Sequence, residues 1–467
     1  MMKRRDALKA IGRIGAAASV ARFLPSCGGG SSGPGTIDTY VYMMMENRSY
    51  DHFFGARSAL EGKPGDGLDL SGMTMFNKDL NGQIVYPFHP DRLSLCDVDP
   101  PHGWDPLHAA WNSGANDGFL AQHQKQYDAT QQQVMQYLTR NELPVSWALA
   151  DQYATADRWF CSVMGPTWPN RFYWHTGTSG GLKDNNLPGT NLPWPSIYNR
   201  LNDKGVDWAY YFGSVPVVSA IANVDVSKNV KYFDDFADDA KAGKLPSVVY
   251  IDPVFNGNDD HPPVHPINGQ ELISMVYTAL ANSPHWKSCM LVITYDENGG
   301  FYDHVSPPST VDDQAALGFT QMGFRVPTMV VGPYVKTGHV SSTVYDHCSA
   351  LRELEVAFQL EPLNQRTKAA NDLSDFIDQD RLASGDWADP IEIPTVDPTT
   401  WEMPYECTHG DLFGPGGDHP VIEWADKHPE KIAGFDRRGD VASYRKKIRD
   451  YLRTTRINPA KIRARLG

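Results

Sequence analysis

Two acid-bearing turns stand far apart in the chain, and each follows directly on an apolar run. Glu46-Asn47-Arg48-Ser49-Tyr50-Asp51-His52 comes after Thr36–Met45, and Asp296-Glu297-Asn298-Gly299-Gly300 comes after Cys289–Tyr295. Carboxylate and amide oxygens are ligands for hard cations. Acids gathered at the ends of two buried strands repel one another unless a cation lies between them, so a shared metal site accounts for both turns at once. Taken singly, each turn has a plainer reading: a helix cap for Glu46 and Asn47, and a surface acid pair for Asp296 and Glu297.

A third stretch, Gly165-Pro166-Thr167-Trp168-Pro169-Asn170-Arg171, holds a hydroxyl between two prolines on a stiff backbone. A metal would lower the pKa of the Thr167 hydroxyl and aim its oxygen at phosphorus. Arg171 could grip phosphate oxygens in bidentate fashion. Spacing alone favours the plainer alternative, a rigid turn with a capping Thr and a structural Arg. Three histidines sit in stiff surroundings: His102 after Pro100-Pro101, His261 before Pro262-Pro263, and His304 after Asp303. Phosphoryl transfer needs cationic groups around the oxygens and a proton donor for the leaving group, and these histidines are the candidates. Gly177-Thr178-Ser179-Gly180-Gly181 matches the G-x-S-x-G nucleophile elbow, but that motif needs a helix after it. Leu182–Pro193 cannot form one, so Ser179 is read as a loop residue.

Positioning these groups calls for buried strands. Thr36–Met45, Pro246–Ile251, Cys289–Tyr295 and Pro327–Val331 are apolar, of strand length and without alternation, which is the pattern of strands covered on both faces. Gln131–Leu138, Gln270–Ala281 and Cys348–Gln359 are amphipathic and predict helices. The alternation implies an α/β fold with a mostly parallel central sheet flanked by helices. Lys63–Asp105 reads as a loop-rich insertion.

Composition agrees with a packed enzyme: 467 residues, 41% hydrophobic and 21% charged. The net charge is −14, yet Lys431–Gly467 carries 12 of the 42 Lys+Arg and only 3 of the 56 Asp+Glu. An acidic body thus ends in a basic tail, read first as a helix docked on that body and second as a patch for anionic lipid or phosphate. No nucleic-acid partner is expected. The six cysteines show no zinc-finger spacing and allow one or two disulfides in an oxidising compartment. Lys3-Arg4-Arg5 opens a stretch resembling a twin-arginine export signal, and Leu24-Pro25-Ser26-Cys27 resembles a lipoprotein box. Residues 1–27 are therefore expected to be a signal peptide read by the twin-arginine translocase, and 28–35 a flexible tether. A catalytic domain over 36–363 and an extension over 364–467 follow. The expected location is periplasmic, membrane-anchored through Cys27, or secreted.

Glu46–Gly55 (ENRSYDHFFG), Gly165–Arg171 (GPTWPNR), Asn258–Pro263 (NDDHPP) and Thr294–Val305 (TYDENGGFYDHV) occur in that order. Arg325-Val326-Pro327 and Tyr345-Asp346-His347-Cys348-Ser349 follow them. Together they resemble the bacterial phosphoesterase family that contains phospholipases C and a group of acid phosphatases. The resemblance covers roughly Thr36–Gln359, and the family is similar in fold to alkaline phosphatases. It implies that Glu46, Asn47, Asp296 and Glu297 hold a divalent metal ion of unspecified identity. Thr167 takes the nucleophile position and also binds the metal. His102 and His261 line the phosphate site; His304, Arg171 and Asn170 lie within matching motifs as catalytic or substrate-binding candidates. Trp168 departs from the family pattern, in which Asp is often found.

The function expected from this resemblance is metal-dependent hydrolysis of phosphate esters through Thr167, phospholipase C-like on phospholipid headgroups or related phosphodiesters. Acid phosphatase action on monoesters is the second reading. A metal-binding lipoprotein without catalysis is the third, and an attacking hydroxyl beside all four presumed ligands speaks against it. A sulfatase would need Cys or Ser in a C/S-x-P-x-R context, which the chain lacks.

Overall fold

The computed structural model describes residues 34–90, 98–187, 193–221, 225, 227–396, 419–435 and 441–467, with only the backbone at 441–443. The expected signal peptide, the start of the tether, and Cys27, Cys96 and Cys407 lie outside these residues. Cys161, Cys289 and Cys348 are buried free thiols. Among the described residues no helix is long and apolar enough to cross a membrane.

The main sheet is built from β1 (Thr39–Met45), β2 (Ala154–Ala156), β3 (Trp208–Phe212), β4 (Val230–Tyr232), β5 (Val248–Asp252), β6 (Cys289–Tyr295), β7 (Met329–Val331) and β8 (Val340–Ser341). Their order across the sheet is β8-β2-β7-β6-β1-β5-β3-β4. β7 runs antiparallel to both neighbours, and the other pairings are parallel. The mostly parallel α/β sheet expected from the apolar runs is what the chain forms. All seven residues of β1 are buried, as a strand covered on both faces requires. Tyr42 donates to the Ala350 carbonyl and meets Trp174 edge-on at 5.6 Å, which packs helices on one of those faces.

The helices that matter for the site are α1 (Tyr50–Phe53), α2 (Thr167–Thr176), α3 (Pro266–Ala281), α4 (His347–Ala357), α5 (Pro420–Lys427), α6 (Val441–Thr454) and α7 (Pro459–Leu466). Two of the three helices predicted from amphipathicity are present as α3 and α4. The third, Gln131–Leu138, is not a helix beyond one turn at Gln133–Met135. There the backbone pairs with Phe88 instead: Phe88 N–H donates to Met135 O, and Tyr137 N–H donates to Phe88 O. Tertiary pairing overrides the local helical pattern. The Lys63–Asp105 stretch contributes a small hairpin, Asn77–Lys78 with Ile84–Val85. Leu68 within it joins Leu107, Phe119 and Leu120 in a satellite core.

The basic tail is docked on the acidic body. Tyr444, Ile448 and Leu452 of α6 are buried in the main core, together with Val421 and Trp424 of α5. Around them Lys447 pairs with Asp234 at 2.7 Å, Arg463 with Asp389 at 2.7 Å, and Arg445 and Arg449 approach Glu271. Apolar burial supplies the affinity, because the solvent-facing Lys447–Asp234 and Arg463–Asp389 pairs are individually weak. Ile448→Ala is therefore expected to lower stability by about 2–5 kcal/mol in urea titrations. Lys447→Ala should change it by less than about 1 kcal/mol.

Candidate active site

β1 and β6 are adjacent and in register, with Met45 opposite Tyr295. Glu46 and Asp296 therefore leave the sheet side by side, at the carboxyl edge where open α/β sheets bind ligands. Asp296 N–H donates to Met45 O at 3.1 Å, and Arg48 N–H donates to Glu297 O at 3.1 Å. On the other side of β1, β5 ends in Asp252, and the loop beyond it brings Asp259 O to Glu46 N–H at 2.9 Å. Asn47 adopts a left-handed backbone, φ 58°, which Asn tolerates better than most residues. Gly299, at φ +60°, crosses so close that a Cβ there would lie 2.5 Å from Asn47 O. Only glycine permits this approach of the two turns.

Thr167 is the first residue of α2, so its hydroxyl stands at the positive end of the helix dipole. It donates to Glu46 Oε1 at 3.2 Å. One turn later on the same face, Arg171 Nη2 donates to Glu46 Oε2 at 3.0 Å. Its Nε reaches Asp296 Oδ2 at 3.2 Å and its Nη1 reaches Asp252 Oδ1 at 3.3 Å. The donors of Arg171, expected to grip phosphate, face three carboxylates in this structure. Asn170 also differs from its expected substrate-binding role. It accepts from Val163 N–H and donates to the carbonyls of Val163, Gly165 and Pro166, which pins the turn before Thr167.

The other histidines divide. His102 Nδ1 lies 2.7 Å from Pro100 O and its Nε2 lies 3.5 Å from Glu297 Oε1. Burial opposes its charge, but Asp99 and Glu297 raise its pKa well above the usual value. His261 Nδ1 lies 2.6 Å from Pro262 O, so its proton sits on Nδ1 and Nε2 keeps its lone pair. Burial lowers its pKa to about 4, so the ring is neutral. His102 and His261 share a cluster with Asp99, and His261 a second with Glu46 and His419.

His304 keeps different company from its expected catalytic one. Its ring Nδ1 and backbone N–H both meet Asp51 Oδ2 at 2.7 Å, and its Nε2 meets Asp66. Arg325 completes this buried network through Asp303 Oδ1 and Asp51 Oδ1. Ser179 is a loop residue as expected: a helix precedes it, and its hydroxyl bonds Leu182 O.

Sequence reasoning did not single out His419, Asp99 or Asp259. His419 comes from the C-terminal extension and places Nε2 2.8 Å from Glu46 Oε1 and 3.6 Å from Asp259 Oδ2. A signal was present, since His419-Pro420 repeats the dipeptide of His261-Pro262.

The acids present a cation-sized demand. Burial, then the charge of Glu46, raises Asp296 to about 8; burial likewise raises Glu297 and Asp259 well above the carboxylate range. Glu46 goes the other way: burial opposes its charge, but His419 and Arg171 outweigh it and hold its pKa down. Both polar atoms of the Asn47 amide are buried without a hydrogen-bond partner, as is Asp259 Oδ1. Orphaned oxygens among partly neutralised acids fit a divalent cation.

The Thr167 hydroxyl and the carboxylates thus meet at the carboxyl edge of the sheet, where open α/β sheets bind ligands. Residues 37–361 match the Phosphoesterase family, and the chain belongs to it; it is a phosphoric ester hydrolase. It is similar to Non-specific phospholipase C6 of Arabidopsis thaliana, 30% identical over 415 residues, covering 79% of this chain and 77% of that one. It is also similar to Phospholipase C B of Mycobacterium tuberculosis, 31% identical over 386 residues, covering 69% of this chain and 73% of that one. A solved phosphonate monoester hydrolase of Agrobacterium radiobacter overlaps 73% of this chain and 77% of its own at 10% identity and a TM-score of 0.35, too distant to add weight.

Two outcomes follow. Arg171→Leu should cost about 3–5 kcal/mol in chemical denaturation, because it strands buried acids rather than removing a substrate contact. For His304, burial opposes the charge but Asp51 and Asp66 raise its pKa from the ordinary 6.5 to about 10. The folded state therefore binds the proton more tightly, and that stabilisation is complete below about pH 6.5 and lost as pH rises through about 10. Denaturant midpoints measured across that window should fall, and His304→Gln should flatten the fall.

Proposed function

We propose that the protein hydrolyses phosphodiesters of the phospholipid-headgroup type, with Thr167 as nucleophile and a divalent cation held by Glu46, Asn47, Asp296 and Glu297. The observation that carries this is the 3.2 Å contact of Thr167 Oγ1 with Glu46 Oε1 at the first turn of α2. The cation, when bound, supplies positive charge and lowers the pKa of the Thr167 hydroxyl. The chain's own groups do the rest. Glu46 fixes the Thr167 rotamer, so that Oγ1 is oriented before substrate arrives. Oγ1 passes its proton to Glu46 Oε1, the acceptor of its hydrogen bond, as it attacks phosphorus and the bond to the leaving oxygen breaks. Glu46 returns that proton to Oγ1 in the hydrolytic step, in which His102 takes one from water. The N-terminus of α2 faces the negative charge on the phosphoryl oxygens. His102 carries a proton on the less buried side of the site and gives it to the leaving alkoxide. Water then cleaves the phosphothreonine and regenerates the hydroxyl.

The diester preference rests on the phospholipase C relatives. Monoester hydrolysis is the reading it must beat. The arginine pair at Arg4-Arg5 and the box ending in Cys27 support export through the twin-arginine translocase, with lipid anchoring at Cys27.

Thr167→Ala should lower kcat on the order of 10⁴-fold or more while the purified variant still binds metal. Wild-type turnover in that variant sinks the nucleophile assignment. The wild type should hydrolyse p-nitrophenylphosphorylcholine with higher kcat/KM than p-nitrophenyl phosphate; the opposite ranking supports the monoester reading.

A further inference from the structure

Among the described residues, His419 is the one group of the site that comes from beyond residue 361, where the family match ends. It is fully buried, and its ring lies 4.7 Å from that of Phe255 and 4.8 Å from that of His261. Its approach to Glu46 is not accidental packing, because the segment that carries it is anchored next to the nucleophile. Trp168, the residue after Thr167, donates from its indole N–H to Pro420 O at 3.2 Å and meets Trp424 of α5 edge-on at 5.4 Å.

The local backbone decides which nitrogen of His419 carries the proton. Val421 N–H donates to Nδ1 at 3.1 Å, capping the start of α5. Nδ1 is therefore the acceptor, and the proton lies on Nε2. That nitrogen stands 2.8 Å from Glu46 Oε1 and 3.6 Å from Asp259 Oδ2, with its N–H aligned squarely on neither. A nitrogen already protonated is not a metal ligand. It is instead a donor inserted between two buried carboxylates that would otherwise repel one another.

We propose that His419 is a positioning residue: its Nε2–H, wedged between Glu46 and Asp259, sets the orientation of the Glu46 carboxylate that meets both Thr167 and the cation. The C-terminal extension thereby completes the site in cis. This rests on the metal-bearing reading of Glu46 given above. A hydrogen-bonding group behind a metal-ligating carboxylate commonly governs metal affinity and activity by 10–100-fold.

Two substitutions separate the donor from the cap. His419→Asn offers an oxygen where Nδ1 stands, so it can keep the α5 cap but cannot reach Glu46. His419→Gln extends an amide nitrogen about as far as Nε2 and keeps a donor there. The full-length variants are titrated with Mn²⁺ and with Ca²⁺ by calorimetry, and kcat and KM are measured on p-nitrophenylphosphorylcholine. His419→Asn should weaken the tighter-binding cation by about 10–100-fold and lower kcat comparably, with KM changed less than about threefold. His419→Gln should recover both to within about threefold. Wild-type affinity and kcat in His419→Asn overturn the proposal, and so does equal loss in both variants, which would assign His419 to packing alone. Thr167→Ala, run in parallel, marks the other failure. If it stays active the nucleophile assignment falls, while the cation titrations still decide His419. If the wild type binds neither cation, both readings fall.

Discussion

The site depends on one buried guanidinium. Arg171 divides its N–H groups among Glu46, Asp252 and Asp296, which end three neighbouring parallel strands. Removing several carboxylates from water in one place is prohibitive without compensating positive charge, and a delocalised fork of donors is the side chain suited to serve several at once. The same residue lies one helical turn from Thr167. The charge that makes the acid cluster possible and the hydroxyl that acts within it are thus on one rigid face of α2. Any movement of that helix would disturb both together.

Much of this was readable from the sequence. Where strands are buried on both faces, as with Thr39–Met45 and Cys289–Tyr295, the apolar run announces itself, and the turns after them were correctly read as converging. The short strands escaped because they are made by pairing rather than by pattern. Ala154–Ala156 and Val340–Ser341 hold too few residues to show a period, and Trp208–Phe212 hides its strand character in a row of aromatics. Roles were harder to read than places. A sequence shows that Arg171 is near Thr167, but the partners that claim its donors come from three separate strands. His304 follows the acidic turn closely in sequence, yet the chain swings away there: Ser49 Oγ ties down Tyr302 O at 2.7 Å, and His304 is drawn into the ion network around Asp51 and Arg325.

The boundary expected at residue 363 divides what the core joins. α5 and α6 place Val421, Trp424, Tyr444 and Ile448 in the same hydrophobic cluster as the central strands. The departure at Trp168 and the extension explain one another. An indole beside the nucleophile supplies both an apolar face for Trp424 and an N–H for Pro420 O, neither of which a carboxylate would give. The acidic body and the basic tail make the same fit, with the partly exposed Asp234 and the buried Glu271 both meeting α6.

The histidine-proline pairs show how local backbone chemistry fixes what a site residue can do. His265-Pro266 and His419-Pro420 both open helices, and in each the ring Nδ1 accepts the N–H two residues on, from Ile267 and from Val421. Proline at the first helical position leaves one fewer amide to satisfy, and the histidine caps the next. His261-Pro262 opens no helix directly, and its Nδ1 instead faces the Pro262 carbonyl. The cap thus forces the proton onto Nε2 of His419, whereas the carbonyl forces the lone pair onto Nε2 of His261. Two imidazoles with centroids 4.8 Å apart thus bring opposite characters to one carboxylate: His419 turns an N–H towards Glu46, whereas His261 brings a lone pair that a cation beside Glu46 could use. In these three pairs the difference follows whether an α-helix begins at the proline, so identical dipeptides in the sequence carry different chemistry in the site.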